Sequence, residues 1–165
     1  MRGKMKPYLK VITVFCAAAI SLSGCGAENN TPQGGNAAEV STEQNGREIA
    51  LYVGNENGDG LVTETVSVEE LTPEAILLAL SEKNVIPKET KVLDFKDEGE
   101  TLTLDLSKEY QEYVSSYGTS GELVIVGGVV NTFLDAYDAD TITILVEGSA
   151  WDTGHADYSG ALGRY

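Results

Sequence analysis

The sequence is poor in cysteine and histidine, the residues that most often act as metal ligands or nucleophiles. Among its 165 residues there are two cysteines and one histidine, His155. Both cysteines, Cys16 and Cys25, lie near the amino terminus, so residues 26–165 contain no thiol. A disulfide, a thiolate metal site and a cysteine nucleophile are therefore excluded from that segment. A metal site built from several histidines of one chain is excluded as well.

Basic residues are also scarce. The chain has 11 lysines and arginines against 26 aspartates and glutamates. Four of the basic residues, Arg2, Lys4, Lys6 and Lys10, precede the first acidic residue. A chain this acidic is repelled by nucleic acid and by anionic lipid headgroups. We therefore expect no nucleic-acid partner, whereas a basic protein or divalent cations would be tolerated.

The first 24 residues have the order of a secretory signal, in which basic residues precede an apolar stretch and then small residues. The apolar stretch, Val11 to Ile20, is about ten residues long. A membrane-spanning helix needs roughly 20. We therefore predict that residues 1–24 are a signal peptide and not a permanent transmembrane helix.

The signal ends in Leu22-Ser23-Gly24-Cys25, which resembles the lipobox of bacterial lipoproteins. The resemblance implies that Leu22, Ser23 and Gly24 are recognised during processing. It also implies that the chain is cut before Cys25, whose thiol then carries a diacylglyceryl group. Two acyl chains give stable anchoring, whereas one binds only marginally. We expect a lipid-anchored protein on the extracytoplasmic face of the cell membrane; the alternative is a secreted protein with a free amino-terminal cysteine.

Residues 25–46 are rich in glycine, asparagine, serine, threonine and alanine and show no apolar period. This composition is typical of a flexible tether. About twenty residues of such a chain have a root-mean-square reach of roughly 25 Å. The tether would hold a folded domain away from the bilayer and let it search for partners.

From residue 47 onward the apolar residues follow strand and helix periods. Strands are predicted at 48–53, 61–68, 91–96, 101–106 and 141–146. Thr72, Pro73 and Glu74 are typical of a helix start, because they cap the free N–H groups, suit the first position and complement the dipole. A short amphipathic helix begins at Ser107.

Residues 121–137 fit two structures. The apolar residues from Leu123 to Tyr137 follow a helical stripe, whereas the run VIVGGVV is rich in β-branched residues. Strands rarely run this long, so length favours a helix. Gly127 and Gly128 would then allow the helix to pack closely against the sheet.

The predicted order is β-β-α-β-β-α-α-β, which indicates the α+β class. We expect a single small domain at 47–150, with a mixed β-sheet and helices packed on one face. Residues 151–165 are expected to form a polar, glycine-rich tail.

An ordered series of segments resembles the GerMN domain of sporulation and germination lipoproteins in Gram-positive bacteria. The segments are the 51–68 hairpin, residues 86–91, Leu104-Asp105-Leu106-Ser107, Val130-Asn131-Thr132-Phe133 and residues 142–148. The resemblance covers roughly residues 47–150 and implies a membrane-anchored interaction module with a fold like the ring-building motifs of secretion machinery. It brings no catalytic residues and no cofactor. The best-known member carries two such domains, whereas this chain has room for one.

Asn55, Asn57, Asp59 and Gly60 imitate the start of a calcium-binding loop, in which oxygen ligands alternate. The twelfth position from Asn55 is Val66, where such a loop needs a bidentate glutamate. A plain hairpin turn is therefore favoured over a cation site.

The tail holds the remaining candidate site residues. His155 lies near Asp152, Asp157 and Ser159, but no nucleophile-elbow motif accompanies them, so a solvent-facing or interface histidine is expected. Trp151, His155, Tyr158 and Tyr165 are candidates for a docking interface, because aromatic residues are enriched at interfaces. The aromatic residues could equally cover one end of the core.

These features favour a protein that is not an enzyme and binds another envelope protein, or itself, through its α+β domain, with a role in sporulation or spore germination. The alternative is a module that binds cell-wall polymer or divalent cations. An envelope hydrolase is disfavoured because the sequence lacks a nucleophile motif and a metal-ligand set.

Overall fold

The computed structural model describes residues 46–165. The signal peptide, Cys25 and the tether lie outside the described residues, as do Leu22, Ser23 and Gly24. The described elements are β1 Arg47–Gly54, β2 Leu61–Val68, α1 Pro73–Glu82, β3 Val92–Asp97, β4 Thr101–Leu106, α2 Lys108–Ser115, α3 Thr119–Tyr137 and β5 Thr141–Val146.

The first two strands form an antiparallel hairpin whose register runs from Arg47 opposite Val68 to Gly54 opposite Leu61. The alternating pattern of β1 places Ile49, Leu51 and Val53 in the core, as strand geometry requires of residues two apart. This hairpin is a sheet of its own.

The other three strands form a second sheet in the order β3-β4-β5. β4 pairs antiparallel with β3 and parallel with β5, so the sheet is mixed. Leu102, Leu104 and Leu106 share the inner face of β4 and are fully buried. The parallel pair requires a crossover connection, which α2 and α3 provide.

The helix α1 begins as the sequence predicts. The hydroxyl of Thr72 accepts a hydrogen bond from the Ala75 N–H at 3.1 Å, and Pro73 occupies the first turn. Such a cap contributes about 1 kcal/mol. The buried face of α1 carries Ile76, Leu77 and Leu80.

The helix predicted at 121–137 is observed as α3, which begins two residues earlier and spans Thr119–Tyr137. Gly128 lies against β1, since a Cβ atom there would be 2.8 Å from the carbonyl oxygen of Tyr52. The Tyr52 N–H donates to the Thr132 hydroxyl at 3.0 Å. The close packing expected of the glycines is therefore observed at Gly128.

The α+β class and the order of elements are confirmed, with one difference in the sheet. The strands divide between two sheets, where one had been expected. The N–H and carbonyl of Tyr52 both face α3, so a further strand cannot pair with β1 at this point.

Residues 151–165, predicted to be a polar, glycine-rich tail, pack against the domain. Leu162 pairs with Ile142 of β5, and each N–H donates to the other's carbonyl at 2.9 and 2.8 Å. The segment therefore covers the outer edge of β5, while Trp151 and Tyr158 enter the core. Apolar burial explains why this segment is held.

Candidate functional site

Three of the four predicted interface residues lie on a small hairpin, residues 151–158, that follows β5: Trp151, His155 and Tyr158. The Tyr158 N–H donates to the Trp151 carbonyl, and the Thr153 N–H donates to the Ala156 carbonyl, both at 3.1 Å. Gly154 has a φ of +80°, a left-handed conformation that glycine adopts without strain. The hairpin lies over the start of α3.

Trp151 and Tyr158 cover one end of the core and are not exposed to a partner. They are 4% and 3% exposed, and their rings stack with centroids 4.6 Å apart. The indole N–H of Trp151 donates to the Ile144 carbonyl at 3.1 Å. Tyr110 packs edge-on against the indole at 5.3 Å. The structure thus supports the second alternative for these two aromatic residues.

The hairpin closes over Glu122, whose side chain is 1% exposed although it belongs to the first turn of α3. One carboxylate oxygen, Oε1, accepts hydrogen bonds from the hydroxyls of Tyr158 at 2.6 Å and Thr153 at 2.8 Å. A buried carboxylate requires such donors because burial removes its hydration. Glu122 therefore fixes the hairpin to the helix.

The second oxygen of Glu122, Oε2, has no hydrogen-bond partner among the described residues. The Nδ1 atom of His155 lies 3.4 Å from it, within ion-pair distance, and the imidazole is half exposed.

Burial, followed by the hydrogen bond to Glu122 and its charge, holds the pKa of Tyr158 far above its ordinary value. Tyr158 therefore acts as a hydrogen-bond donor, since its hydroxyl stays protonated.

Sequence inspection missed Glu122, although its position carried a signal. Glu122 precedes Val126 by four residues and therefore lies on the same face of α3 as that buried valine. Leu123, which the stripe had predicted to be buried, is 47% exposed. The polar partners of Glu122 are some thirty residues away in the chain, and no local pattern reveals them.

The serine, histidine and aspartates of this hairpin do not form a catalytic relay. The Ser159 N–H donates to Asp157 at 2.8 Å. The Ser159 hydroxyl, and then its N–H, lower the pKa of Asp157 by hydrogen bonding to its carboxylate. His155 instead faces Glu122. A relay needs the serine hydroxyl hydrogen-bonded to the histidine, and no bond joins Ser159 to His155 among residues 46–165.

Tyr165 and Arg164 attach the end of the chain to the other half of α3. Tyr165 and Asn131 exchange two hydrogen bonds, from the Tyr165 N–H at 3.0 Å and to its carbonyl at 3.3 Å. Arg164 forms an ion pair with Asp135, which also accepts from the Tyr52 hydroxyl at 2.5 Å. Tyr165 stays 48% exposed, so it is the aromatic residue of the predicted interface that a partner can reach.

The turn at 55–60 is closed by its own hydrogen bonds. The Asn55 side chain donates to Asp59 at 2.9 Å and accepts from the Asp59 N–H at 3.2 Å. The Asn55 N–H donates to the Gly60 carbonyl at 2.9 Å. Two of the side chains that had suggested a cation loop, Asn55 and Asp59, thus bond to each other, as in an ordinary hairpin turn.

Neither a metal-binding cluster nor a membrane-spanning helix is found within residues 46–165. No group of three or more histidine, cysteine, aspartate or glutamate side chains in that range is arranged to hold a metal ion. Within the same range, no helix has the length and apolar composition needed to cross a membrane.

Comparisons with known proteins agree with this fold. A family model named Germane, described as sporulation and spore germination, matches residues 50–152. The tandem GerMN domains of the sporulation protein GerM from Bacillus subtilis are 20% identical, with a TM-score of 0.57, over 72% of this chain and 46% of that chain. The first GerMN domain of the same protein is 19% identical, with a TM-score of 0.52, over 72% of this chain and 98% of that one.

A presumed lipoprotein from Clostridium perfringens is 22% identical, with a TM-score of 0.49, over 72% of this chain and 87% of that chain. No curated protein gives a significant match. The chain thus spans about half of the tandem GerM structure and nearly all of its first domain. At these identities the two GerM structures establish a shared fold.

Proposed function

The chain belongs to the Germane family of sporulation and spore germination proteins, and on that premise we propose that it is a lipid-anchored, non-enzymatic interaction module outside the cell membrane. The observation that carries the proposal is the family match over residues 50–152, which spans both sheets and all three described helices. The process named for the family is the process in which we place this chain.

The anchor is supported by the order of residues 1–25. Basic residues, a short apolar stretch and Leu22-Ser23-Gly24-Cys25 follow one another as in bacterial lipoproteins. A diacylglyceryl group on Cys25 would supply the two chains that stable anchoring needs. The tether would then give the domain a reach of roughly 25 Å from the bilayer.

The interaction role is supported by the charge of the domain. Residues 46–165 carry seven basic and 23 acidic residues. Such a surface is repelled by anionic lipid, nucleic acid and any other strongly acidic polymer. A basic region of an envelope protein is the partner that this charge favours.

Proximity crosslinking in the native host tests the anchor and the interaction together. Wild type is compared with Cys25→Ala and with Cys16→Ala, a matched control that removes the other cysteine. We expect wild type and Cys16→Ala to remain in the membrane fraction and to capture the same envelope protein. Cys25→Ala should leave the membrane fraction and lose that capture.

Two outcomes would contradict the proposal. Equal membrane retention of the Cys25→Ala protein would remove the lipid anchor. Capture of cell-wall polymer alone by wild type would replace the protein-interaction role with the wall-binding alternative.

The proposed process has its own measurement. Spore yield and germination rate are compared between host strains that carry wild type, Cys16→Ala or Cys25→Ala. We expect a defect only with Cys25→Ala. A strain with the gene deleted that forms and germinates spores normally would place the function outside this process.

A further inference from the structure

The helix α1 and the loop that follows β2 enclose an open surface groove with a volume of about 440 Å³. Its apolar lining includes Val68, Ala75 and Ala79. Leu78 forms one wall and is 61% exposed, more than any other large hydrophobic residue in the described range. We call this feature the α1 groove. A leucine this exposed beside an apolar floor leaves a surface that a partner could cover.

The charged residues that line the α1 groove are all acidic. Glu69, Glu70 and Glu82 line it, and its lining contains no lysine, arginine or histidine. All three glutamates are exposed. Among residues 46–165, none of them forms an ion pair. The groove therefore combines an apolar floor with unpaired negative charge.

Two neighbouring grooves of similar size differ from it in charge. The groove beside Tyr117, about 470 Å³ in volume, contains the ion pair of Lys83 and Glu64 at 2.5 Å. The groove on the other side of Leu78, about 370 Å³ in volume, contains Glu74 together with Lys88 and Lys91. The α1 groove thus differs from these two grooves in having only acidic residues among its charged lining residues.

Gly46, the last residue of the predicted tether, lies beside the α1 groove. A Cβ atom on Gly46 would be 2.1 Å from the Ser67 hydroxyl and 3.1 Å from the Val68 carbonyl oxygen. Both Ser67 and Val68 line the groove. Residues 25–45 contain three glutamates and no basic residue, so the acidic lining repels the tether. A second copy of this acidic domain is disfavoured for the same reason.

We propose that the α1 groove binds a cationic amphipathic segment of a partner protein. Apolar side chains of the segment contact the floor and Leu78, while its lysines or arginines pair with Glu69, Glu70 and Glu82. This mode of binding is the familiar one in which an amphipathic segment lays its apolar face in a groove. The inference deepens the proposed function and rests on it, because it assigns the surface and the chemistry of the partner.

A defined probe tests the groove. The full-length chain is held in phosphatidylcholine vesicles and mixed with a 14-residue peptide of leucine and lysine at helical spacing that carries a photoreactive group. Empty vesicles give the background. Crosslink yield against peptide concentration gives the affinity, and mass spectrometry locates the crosslinks. We expect crosslinks at Ala75 and Leu78, with an affinity that falls as salt is raised.

Two matched pairs of variants separate the groove from general charge and general hydrophobicity. Glu70→Lys with Glu82→Lys should weaken peptide binding about tenfold or more, because like charges oppose each other across an interface. Glu98→Lys with Glu100→Lys changes the net charge equally in the exposed β3–β4 turn and should have little effect. Leu78→Asn should weaken binding, and Leu123→Asn, at another exposed leucine, should not.

Three outcomes would each overturn the groove assignment. They are an equal loss of peptide binding in both members of a pair, crosslinks outside the groove, and no binding above that of empty vesicles. Crosslinking in the host separates this failure from failure of the proposed function. If the Glu70→Lys, Glu82→Lys protein still captures the envelope partner, the groove is wrong and the interaction role stands. If wild type captures no protein, the interaction role fails even where the peptide binds.

Discussion

The hairpin at 151–158 and the α1 groove use the same residue types in opposite ways. In the hairpin, Glu122 is buried and accepts two hydrogen bonds, and the aromatic rings of Trp151 and Tyr158 stack in the core. In the groove, three glutamates are exposed without ion pairs among the described residues, and a leucine faces solvent. Trp151 and Tyr158, which look like interface residues in the sequence, are internal, and a helix of ordinary composition carries the open surface.

The difference follows from how polar groups behave on burial. A buried indole N–H or carboxylate is tolerated where it has hydrogen-bond partners, and the hairpin supplies them. The glutamates of the groove keep their hydration instead, so they need no partner to be stable. A bound cationic group would relieve the repulsion among these glutamates, so the groove favours a basic partner.

The largest expected effect distinguishes the two regions by stability. Trp151→Ala removes a buried ring and its hydrogen bond to Ile144, so the free energy of unfolding should fall by about 3–5 kcal/mol. Leu78→Ala, the matched control in the groove, should change it by less than about 0.5 kcal/mol, since Leu78 is mostly exposed. Urea unfolding followed by circular dichroism measures both. A similar loss in the two variants would contradict the contrast between a closed and an open region.

The same glutamate-to-leucine substitution, made once in each region, should have a smaller effect on the free energy of unfolding. Glu122→Leu leaves the hydroxyls of Tyr158 and Thr153 without their acceptor, which should cost about 1–3 kcal/mol. Glu82→Leu, on the exposed side of the groove, should stay within about 0.5 kcal/mol. The same unfolding measurement applies. If Glu122→Leu proved neutral, the carboxylate would not be what holds the hairpin to α3.

Local sequence patterns predict the elements of this fold but not the contacts between distant elements. The order of elements, the cap at Thr72 and the helix predicted at 121–137 are confirmed, and the helix begins two residues earlier, at Thr119. The division into two sheets depends on α3 meeting β1 at Tyr52, a contact between residues some eighty positions apart. The burial of Glu122 in place of Leu123 depends on Thr153 and Tyr158 in the same way. Periodicity describes one element at a time, so contacts that join distant elements escape it.

The pH dependence of unfolding gives a third effect. Burial raises the pKa of Tyr158 and Tyr110 well above that of an ordinary tyrosine, while the unfolded chain ionises its tyrosines near pH 10. Above about pH 10 the unfolded state therefore holds fewer protons than the folded state. The stability from each residue is fully present below that pH. It is lost as pH rises, by about 1.4 kcal/mol per pH unit for each group.

The unfolded tyrosine is about half ionised at pH 10 and about nine-tenths ionised at pH 11. Tyr158→Phe should therefore reduce the loss of stability between pH 10 and 11 by about 1 kcal/mol, and Tyr110→Phe should act alike. Urea unfolding at both pH values measures the slope. A slope identical to wild type in both variants would show that the two hydroxyls ionise in the folded protein.

The smallest expected effect on stability belongs to the residues that we propose matter most for binding. Glu70→Gln with Glu82→Gln removes two like charges from the groove and no hydrogen bond among the described residues. The free energy of unfolding should stay within about 0.5 kcal/mol of wild type, or rise slightly because repulsion is relieved. The same double variant should bind the leucine–lysine peptide more weakly and with a smaller dependence on salt, since fewer charges attract it. Loss of stability in parallel with binding would mean that the acidic lining is structural, and the two regions would then differ in exposure alone.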